Sequence, residues 1–173
     1  MIKFRLYFDK DAETEWLNQM SEAGWEMEWF FAGFYGFKEC EKGKYIYQVD
    51  FKDNFFSVSR EYKEFMQDMD VEIVQNWGFW VILRKLASAG KFELYTDVDS
   101  SVEHYSKIRG MFIGAAIIEV IMMCMELYVG LTGYNVGYIF ALLIGLLLFA
   151  FVNIINKTNR IIEELKERKM GGE

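Results

Sequence analysis

Residues 110–156 read GMFIGAAIIEVIMMCMELYVGLTGYNVGYIFALLIGLLLFAFVNIIN. Only two side chains in this stretch are charged, Glu119 and Glu126, and both are acids. A hydrocarbon core about 30 Å thick takes roughly 20 helical residues at about 1.5 Å each. Gly110 to Leu131 supplies one such span and Val136 to Asn156 a second. Between them, Leu131-Thr132-Gly133-Tyr134-Asn135 carries the residues that end helices. The reading is a transmembrane helical hairpin with both ends on one side.

The flanking charges give that side. Lys107 and Arg109 precede the first span, and Lys157, Arg160, Lys166, Arg168 and Lys169 follow the second, whereas the connecting loop has no Lys or Arg. The positive-inside rule then places both termini in the cytoplasm and the short loop outside. The start, Met-Ile-Lys-Phe-Arg-Leu-Tyr-Phe-Asp, alternates and is charged, unlike the apolar segment of a signal peptide. Cys40 and Cys124 fall in different regions and are not expected to pair, which fits a reducing compartment.

The first 109 residues hold 14 basic and 20 acidic side chains, a balance near −6. Such a surface argues against nucleic acid as a partner. The tail after residue 156 has five basic and four acidic residues and suits an anionic lipid surface.

This N-terminal part reads as two copies of a strand–helix–strand–strand unit. The first copy is Ile2 to Phe8, Asp11 to Ala23, Trp25 to Phe31 and Phe34 to Cys40. The second is Tyr45 to Phe51, Ser59 to Met69, Val71 to Trp77 and Phe79 to Lys85. Glu15-Trp16 matches Glu61-Tyr62, Met20 matches Met66, and Trp25-Glu26-Met27 matches Val71-Glu72-Ile73, each 46 residues apart. Phe8 is matched with Phe51, and Gly36-Phe37 with Gly78-Phe79. The fold class expected is α+β: a duplicated module over residues 1–90, with one antiparallel sheet and both helices on one face. A linker strand and juxtamembrane helix follow over 91–109, the two spans over 110–156, and a cytoplasmic tail over 157–173. Ser100 and Glu103 have capping-box spacing at the start of the juxtamembrane helix.

Trp16-Leu17 with Met20, Gly24-Trp25, Tyr35-Gly36-Phe37, Tyr45-Ile46-Tyr47-Gln48-Val49-Asp50, Glu61-Tyr62, Phe79-Trp80 and Leu94-Tyr95-Thr96-Asp97 together resemble the bacterial domain-of-unknown-function family 2812. The resemblance covers most of residues 1–109 and implies a membrane protein, often encoded beside PadR-type transcriptional regulators, in a membrane-stress or drug-response setting. It carries no catalytic residues. The duplicated element order also resembles the drug-binding GyrI-like module; that likeness is architectural and does not give function.

Several residues invite a chemical reading beside a structural one. Glu119 lies near the middle of the first span, and Glu126 is seven residues later on nearly the same helix face. An acid there costs several kcal/mol and faces protein, water or a ligand. It is either a cation or proton site, or an acid that recognises a lipophilic cation, or else a protonated Glu bonded to a neighbouring helix or to a second copy of itself. Gly137, Ala141 and Gly145 form a small-residue ridge for helix packing, within the hairpin or against another subunit. Trp25, Met27, Trp29 and Phe31 alternate onto one sheet face with Glu26 and Glu28 on the other. With Trp77 and Trp80 they make either a pocket for an organic cation or an ordinary core. Asp97, Asp99, Glu103 and His104 match no defined metal site, and Met122-Met123-Cys124-Met125 points all round a helix. His104 is the sole histidine, with no nucleophile motif and no phosphate loop. No cofactor, metal or catalytic residue is expected.

The function these features favour is a non-enzymatic, membrane-anchored sensory or regulatory protein whose cytoplasmic domain binds a protein partner or a small hydrophobic or cationic ligand. The expected partners are the lipid bilayer, a second copy of the chain, and a transporter or PadR-type regulator. The alternative is a small transport or ion-coupling subunit that uses Glu119.

Overall fold

The computed structural model describes residues 1–52, 55–92, 94–95 and 97–171. They form two compact units, one from Met1 to Leu94 and one beginning at Tyr95. The first is α+β and the second a pair of long helices.

The first unit runs β1 (Ile2–Phe4), α1 (Lys10–Glu22), β2 (Trp25–Phe31), β3 (Phe34–Glu39), β4 (Tyr45–Phe51), α2 (Arg60–Asp68), β5 (Glu72–Trp77) and β6 (Trp80–Leu86). Asp9 caps α1 by accepting from the Asp11 N–H, and Ser59 caps α2 by accepting from the Tyr62 N–H. Both helices end in a left-handed residue, Gly24 at φ +89° and Asp70 at φ +57°.

The strands make two antiparallel three-stranded sheets of identical order, β1-β3-β2 and β4-β6-β5. Their registers repeat at a constant spacing. Met27 faces Phe37 as Ile73 faces Leu83, and Trp29 faces Gly36 as Gln75 faces Ile82; every member is 46 residues from its counterpart. Each copy carries a bulge at the same step, between Met27 and Trp29 and between Ile73 and Gln75. The duplication therefore extends to an irregularity. Two of the sequence matches shift. Gly36-Phe37 corresponds to Ile82-Leu83, and the residue equivalent to Phe51 is Phe4, because Phe4 faces Phe34 as Phe51 faces Trp80. Phe8 lies beyond the end of β1.

The expected single sheet is divided: β2 lies near β5 with no ladder between them, and side chains bond the β2 backbone. The Met27 N–H donates to the Tyr47 hydroxyl at 2.9 Å, and the Arg84 guanidinium donates to the Met27 carbonyl at 3.1 Å. The helices also separate. Trp16, Leu17 and Met20 of α1 pack with Met27, Tyr35 and Phe37 of one sheet and with Tyr47, Val49 and Ile82 of the other. Met66 of α2 packs with Val81, Leu83, Val58 and Phe92. Val81 and Leu83 alternate with Ile82 along β6, so α1 and α2 cover opposite faces of the second sheet. A strand buried on both faces reads as a continuous apolar run, as Val81-Ile82-Leu83 does. Each fully buried Leu or Val contributes roughly 1.5–3 kcal/mol.

The open edge of β4 is covered by α1. Thr14, Asn18 and Ser21, on one face of the helix, bond the backbone of Val49, Tyr47 and Tyr45. Three short polar side chains thus satisfy a sheet edge that would otherwise recruit another chain.

In the second unit, α3 (Val98–Leu131) and α4 (Val136–Gly171) are joined by a short turn with Gly133 at φ +105°. Both are long and apolar enough to cross a membrane, and almost nothing in their apolar windows is buried within the chain. A core helix of a water-soluble protein buries such a surface. Asp97, not Ser100, is the N-cap of α3, accepting from the Ser100 N–H at 2.8 Å. Of the expected linker strand, Phe92 and Leu94 pack as single side chains on the α2 side of the first unit; Glu93 and Thr96 lie outside the described residues.

Candidate ligand-binding site

A cavity of about 250 Å³ opens in the first unit where the two copies meet. The segment after β1, the start of α1 and the β2–β3 turn bring Arg5, Tyr7, Glu13 and Tyr35, and the β5–β6 hairpin brings Gln75, Trp77 and Trp80. The two hairpins set its shape. Ala32 and Gly33 both have positive φ, +47° and +87°, which is the backbone of a type I′ turn. The other turn opens with Gly78 at φ +57°. Phe30 and Phe31 stand edge-on to Trp77, with centroids 6.0 and 5.6 Å away.

Glu13 is the acidic residue lining this cavity. It is more than nine-tenths buried, and the Tyr35 hydroxyl donates to its Oε1 at 2.7 Å. Among the described residues it makes no ion pair. Burial pushes the carboxyl up to about 7, and the Tyr35 hydrogen bond pulls back only part of that. Burial also raises the Tyr35 phenol, with the Glu13 charge adding to it. Arg5 lines the same cavity at its exposed rim. Its guanidinium lies 4.9 Å from the centroid of the Trp16 ring and donates to the Tyr7 hydroxyl at 2.9 Å. Its backbone N–H is fixed on the Gly33 carbonyl at 2.8 Å. The cavity therefore offers an aromatic body with one acid inside and one base at the rim.

Of the residues singled out in the sequence, Trp77 and Trp80 line this cavity and the other four do not. The bulge at Glu28 breaks the expected alternation: Phe30 joins Met27 on the core side, while Trp29 and Phe31 are exposed. Trp25 packs at the margin of the α1 core. Trp29 lies over Gly36, where any Cβ would collide with its indole ring. Glu26 is buried in an ionic cluster, 2.6 Å from Lys38, 3.9 Å from Lys44 and 4.0 Å from Arg84. Burial alone would push its carboxyl up; Lys38 first, then Arg84 and Lys44, outweigh this and hold it below the usual range. Glu28 is exposed and 3.4 Å from Lys38. Glu26 thus ties Lys38 of one sheet to Arg84 of the other.

Glu13 and Tyr35 were not singled out, although the sequence carried a signal for Glu13. It stands three, four and seven residues before Trp16, Leu17 and Met20, on the apolar stripe of α1. A charged residue on a core stripe marks either a buried pair or a site.

In the second unit, Phe112, Glu119 and Glu126 recur every seven residues along the side of α3 that meets α4. Both acids are half-buried, in contrast to Ile117, Ile118 and Ile121, which are exposed. The Gly137, Ala141 and Gly145 ridge faces α3 within the hairpin. A Cβ on Gly137 would collide with the Glu126 carbonyl and lie 2.7 Å from the Gly130 nitrogen; Ala141 is buried, and Gly145 approaches Met123 Sδ. Asp99 pairs with Lys169 at 2.7 Å and Arg109 donates to Asn159 at 3.1 Å, which ties α3 to α4 outside the apolar windows.

No curated protein and no solved structure matches the chain. One family model, described as "Protein of unknown function (DUF2812)", matches residues 9–117. The match takes in α1, both β-hairpins and the first part of α3, which is well over half of the chain, so the protein belongs to this family of unknown function.

Proposed function

We propose that this chain is a membrane-anchored, non-enzymatic sensory or regulatory protein whose N-terminal unit takes a small hydrophobic ligand into the cavity around Glu13. The observation that carries the reading is the cavity itself: aromatic walls and an acid that has no ion pair among the described residues, held by elements of both copies. Binding sites are mostly apolar concavities with a few oriented polar groups. At about 250 Å³ this one suits a ligand of one ring, not a large drug.

The two apolar helices anchor this unit as a two-span hairpin in the cell membrane, with both termini in the cytoplasm. A transporter or PadR-type regulator, or a second copy of the chain, is the partner that ligand occupancy addresses. Two measurements test the proposal. Toluene titrated into the full chain in nanodiscs should quench or shift the Trp77 and Trp80 emission in the wild type and much less in Gln75→Trp, which fills the cavity. Equal response in both would reject the site. Asn135→Cys, in the loop between α3 and α4, should react with an impermeant maleimide on intact cells; labelling only in inverted vesicles would reverse the topology.

A second reading is an ion-coupling subunit that uses Glu119. It is favoured by the half-buried place of Glu119 and Glu126 on the inter-helix side of α3, where a lipid-facing acid would be costly. Glu119→Gln should then alter membrane potential or ion flux in vesicles while the hairpin stays assembled; unchanged flux removes this reading.

A further inference from the structure

The cavity is walled by two opposite charges that do not meet. Glu13 and Arg5 both line it, and among the described residues neither makes an ion pair with the other or with any third group. Each is held in place by neutral partners. The Tyr35 hydroxyl fixes the carboxyl, while the Tyr7 hydroxyl and the Trp16 ring fix the guanidinium. Glu26 shows the contrast: it has Lys38, Lys44 and Arg84 around it, and Arg84 makes two bonds to Glu72. A buried carboxylate without a cation costs several kcal/mol. A ligand that brings the missing cation, and leaves an anion for the rim, removes that cost.

We infer that the ligand is a small aromatic zwitterion, with its ammonium on Glu13, its ring against Trp77 and Trp80, and its carboxylate on Arg5. The inference rests on the cavity reading above and adds the charge pattern of the ligand. A purely cationic amine satisfies Glu13 but meets Arg5 at the mouth. A purely anionic acid satisfies Arg5 but meets a carboxylate inside. Only a molecule with both signs answers both groups, and an arginine fork donates two parallel bonds to a carboxylate.

Three near-isosteric probes separate the contributions: phenylalanine, 2-phenylethylamine and 3-phenylpropanoate. They are titrated into the full chain in nanodiscs at pH 8, above the Glu13 titration near 7, and followed by tryptophan emission and calorimetry. A hydrogen bond to a charged group contributes about 1.5–3 kcal/mol, so phenylalanine should bind about tenfold or more tightly than either single-charge probe. Glu13→Gln should cost phenylalanine and phenylethylamine about tenfold and leave phenylpropanoate no weaker. Arg5→Gln should do the reverse, costing phenylalanine and phenylpropanoate and sparing phenylethylamine. If either single-charge probe binds the wild type as tightly as phenylalanine, the inference is overturned. If none of the three binds while toluene does, the inference falls and the hydrophobic cavity stands; if toluene also fails, both fall. Should Glu13→Gln not fold, the ranking of the three probes on the wild type decides alone.

Discussion

The side-chain amide of Asn18 bonds both backbone groups of Tyr47: its Nδ2 donates to the carbonyl at 2.9 Å, and its Oδ1 accepts from the N–H at 2.8 Å. This two-bond ring reproduces what a neighbouring strand would give one residue of a β-ladder. Tyr47 is fully buried, and its own hydroxyl goes on to hold the Met27 N–H. One residue of β4 is thereby bonded to a helix on its edge and to a strand of the other sheet.

Asn18→Ala should therefore destabilise the first unit by about 2–3 kcal/mol, because two buried backbone groups lose their partners. Gln19→Ala, next to it, should change stability by no more than about 0.5 kcal/mol, since Gln19 is exposed and bonds only Glu15 at 3.3 Å. Thermal melts of the full chain, followed by near-ultraviolet dichroism, would compare the two. Equal melts would mean that the Asn18 ring contributes nothing.

Gly36→Ala should cost about 1–3 kcal/mol, because the new methyl has no room beneath the Trp29 indole. Trp29→Ala combined with Gly36→Ala should cost less than the two single changes added together, since the collision is then gone. Additive losses in the double mutant would show that the indole does not lie over Gly36.

The Glu13 carboxyl makes stability depend on pH. Its folded-state value is raised to about 7 from 4.5, so the folded chain binds more protons than the unfolded chain between these limits. Its contribution is fully present below about pH 4.5, fades as pH rises through 7 and is flat beyond. A shift of this size corresponds to roughly 3 kcal/mol. Glu13→Gln, which can still accept from Tyr35, should match the wild type at pH 4.5 and exceed it at pH 8. A mutant curve parallel to the wild type would assign the slope to another group.

In the hairpin the two glycines of the ridge should differ. Gly137→Ala should weaken the α3–α4 pair, because the methyl runs into the backbone at Glu126 and Gly130. Gly145→Ala should be tolerated, since its nearest neighbour is the flexible Met123 thioether at 3.9 Å. Cross-linking yield between Cys124, with Cys40 changed to Ser, and a cysteine introduced on α4 at Leu143 or Ile144 reads the pairing. The same loss in both mutants would contradict this steric contrast.

Much of this architecture is legible in the sequence. The two copies announce themselves because the apolar period switches between two and about 3.6 in the same order twice. The spans stand out because bilayer thickness imposes a length that few soluble helices meet. The bulges were not legible. An extra residue in a strand has no compositional mark, and the one at Glu28 reverses the facing of everything after it, which is why Trp29 was expected beside Trp25 and is found on the other side. Nor was the division into two sheets legible: at the β2 edge the Tyr47 hydroxyl and the Arg84 guanidinium bond Met27, an arrangement between residues distant in sequence. The site is half legible: the sequence points to Trp77 and Trp80, while Glu13 carries no mark beyond its place on the apolar stripe of α1.

The cavity draws its walls from both copies, Glu13 and Tyr35 from the first and Gln75, Trp77 and Trp80 from the second. Neither copy alone contains it. A ligand bound there, as proposed, would add contacts across the junction and stabilise the folded unit by mass action, by about 2.7 kcal/mol at a hundred times its dissociation constant. On that reading the duplication turns a packing boundary into a thermodynamic coupling: the cohesion of the two halves and the concentration of a small solute would become one variable.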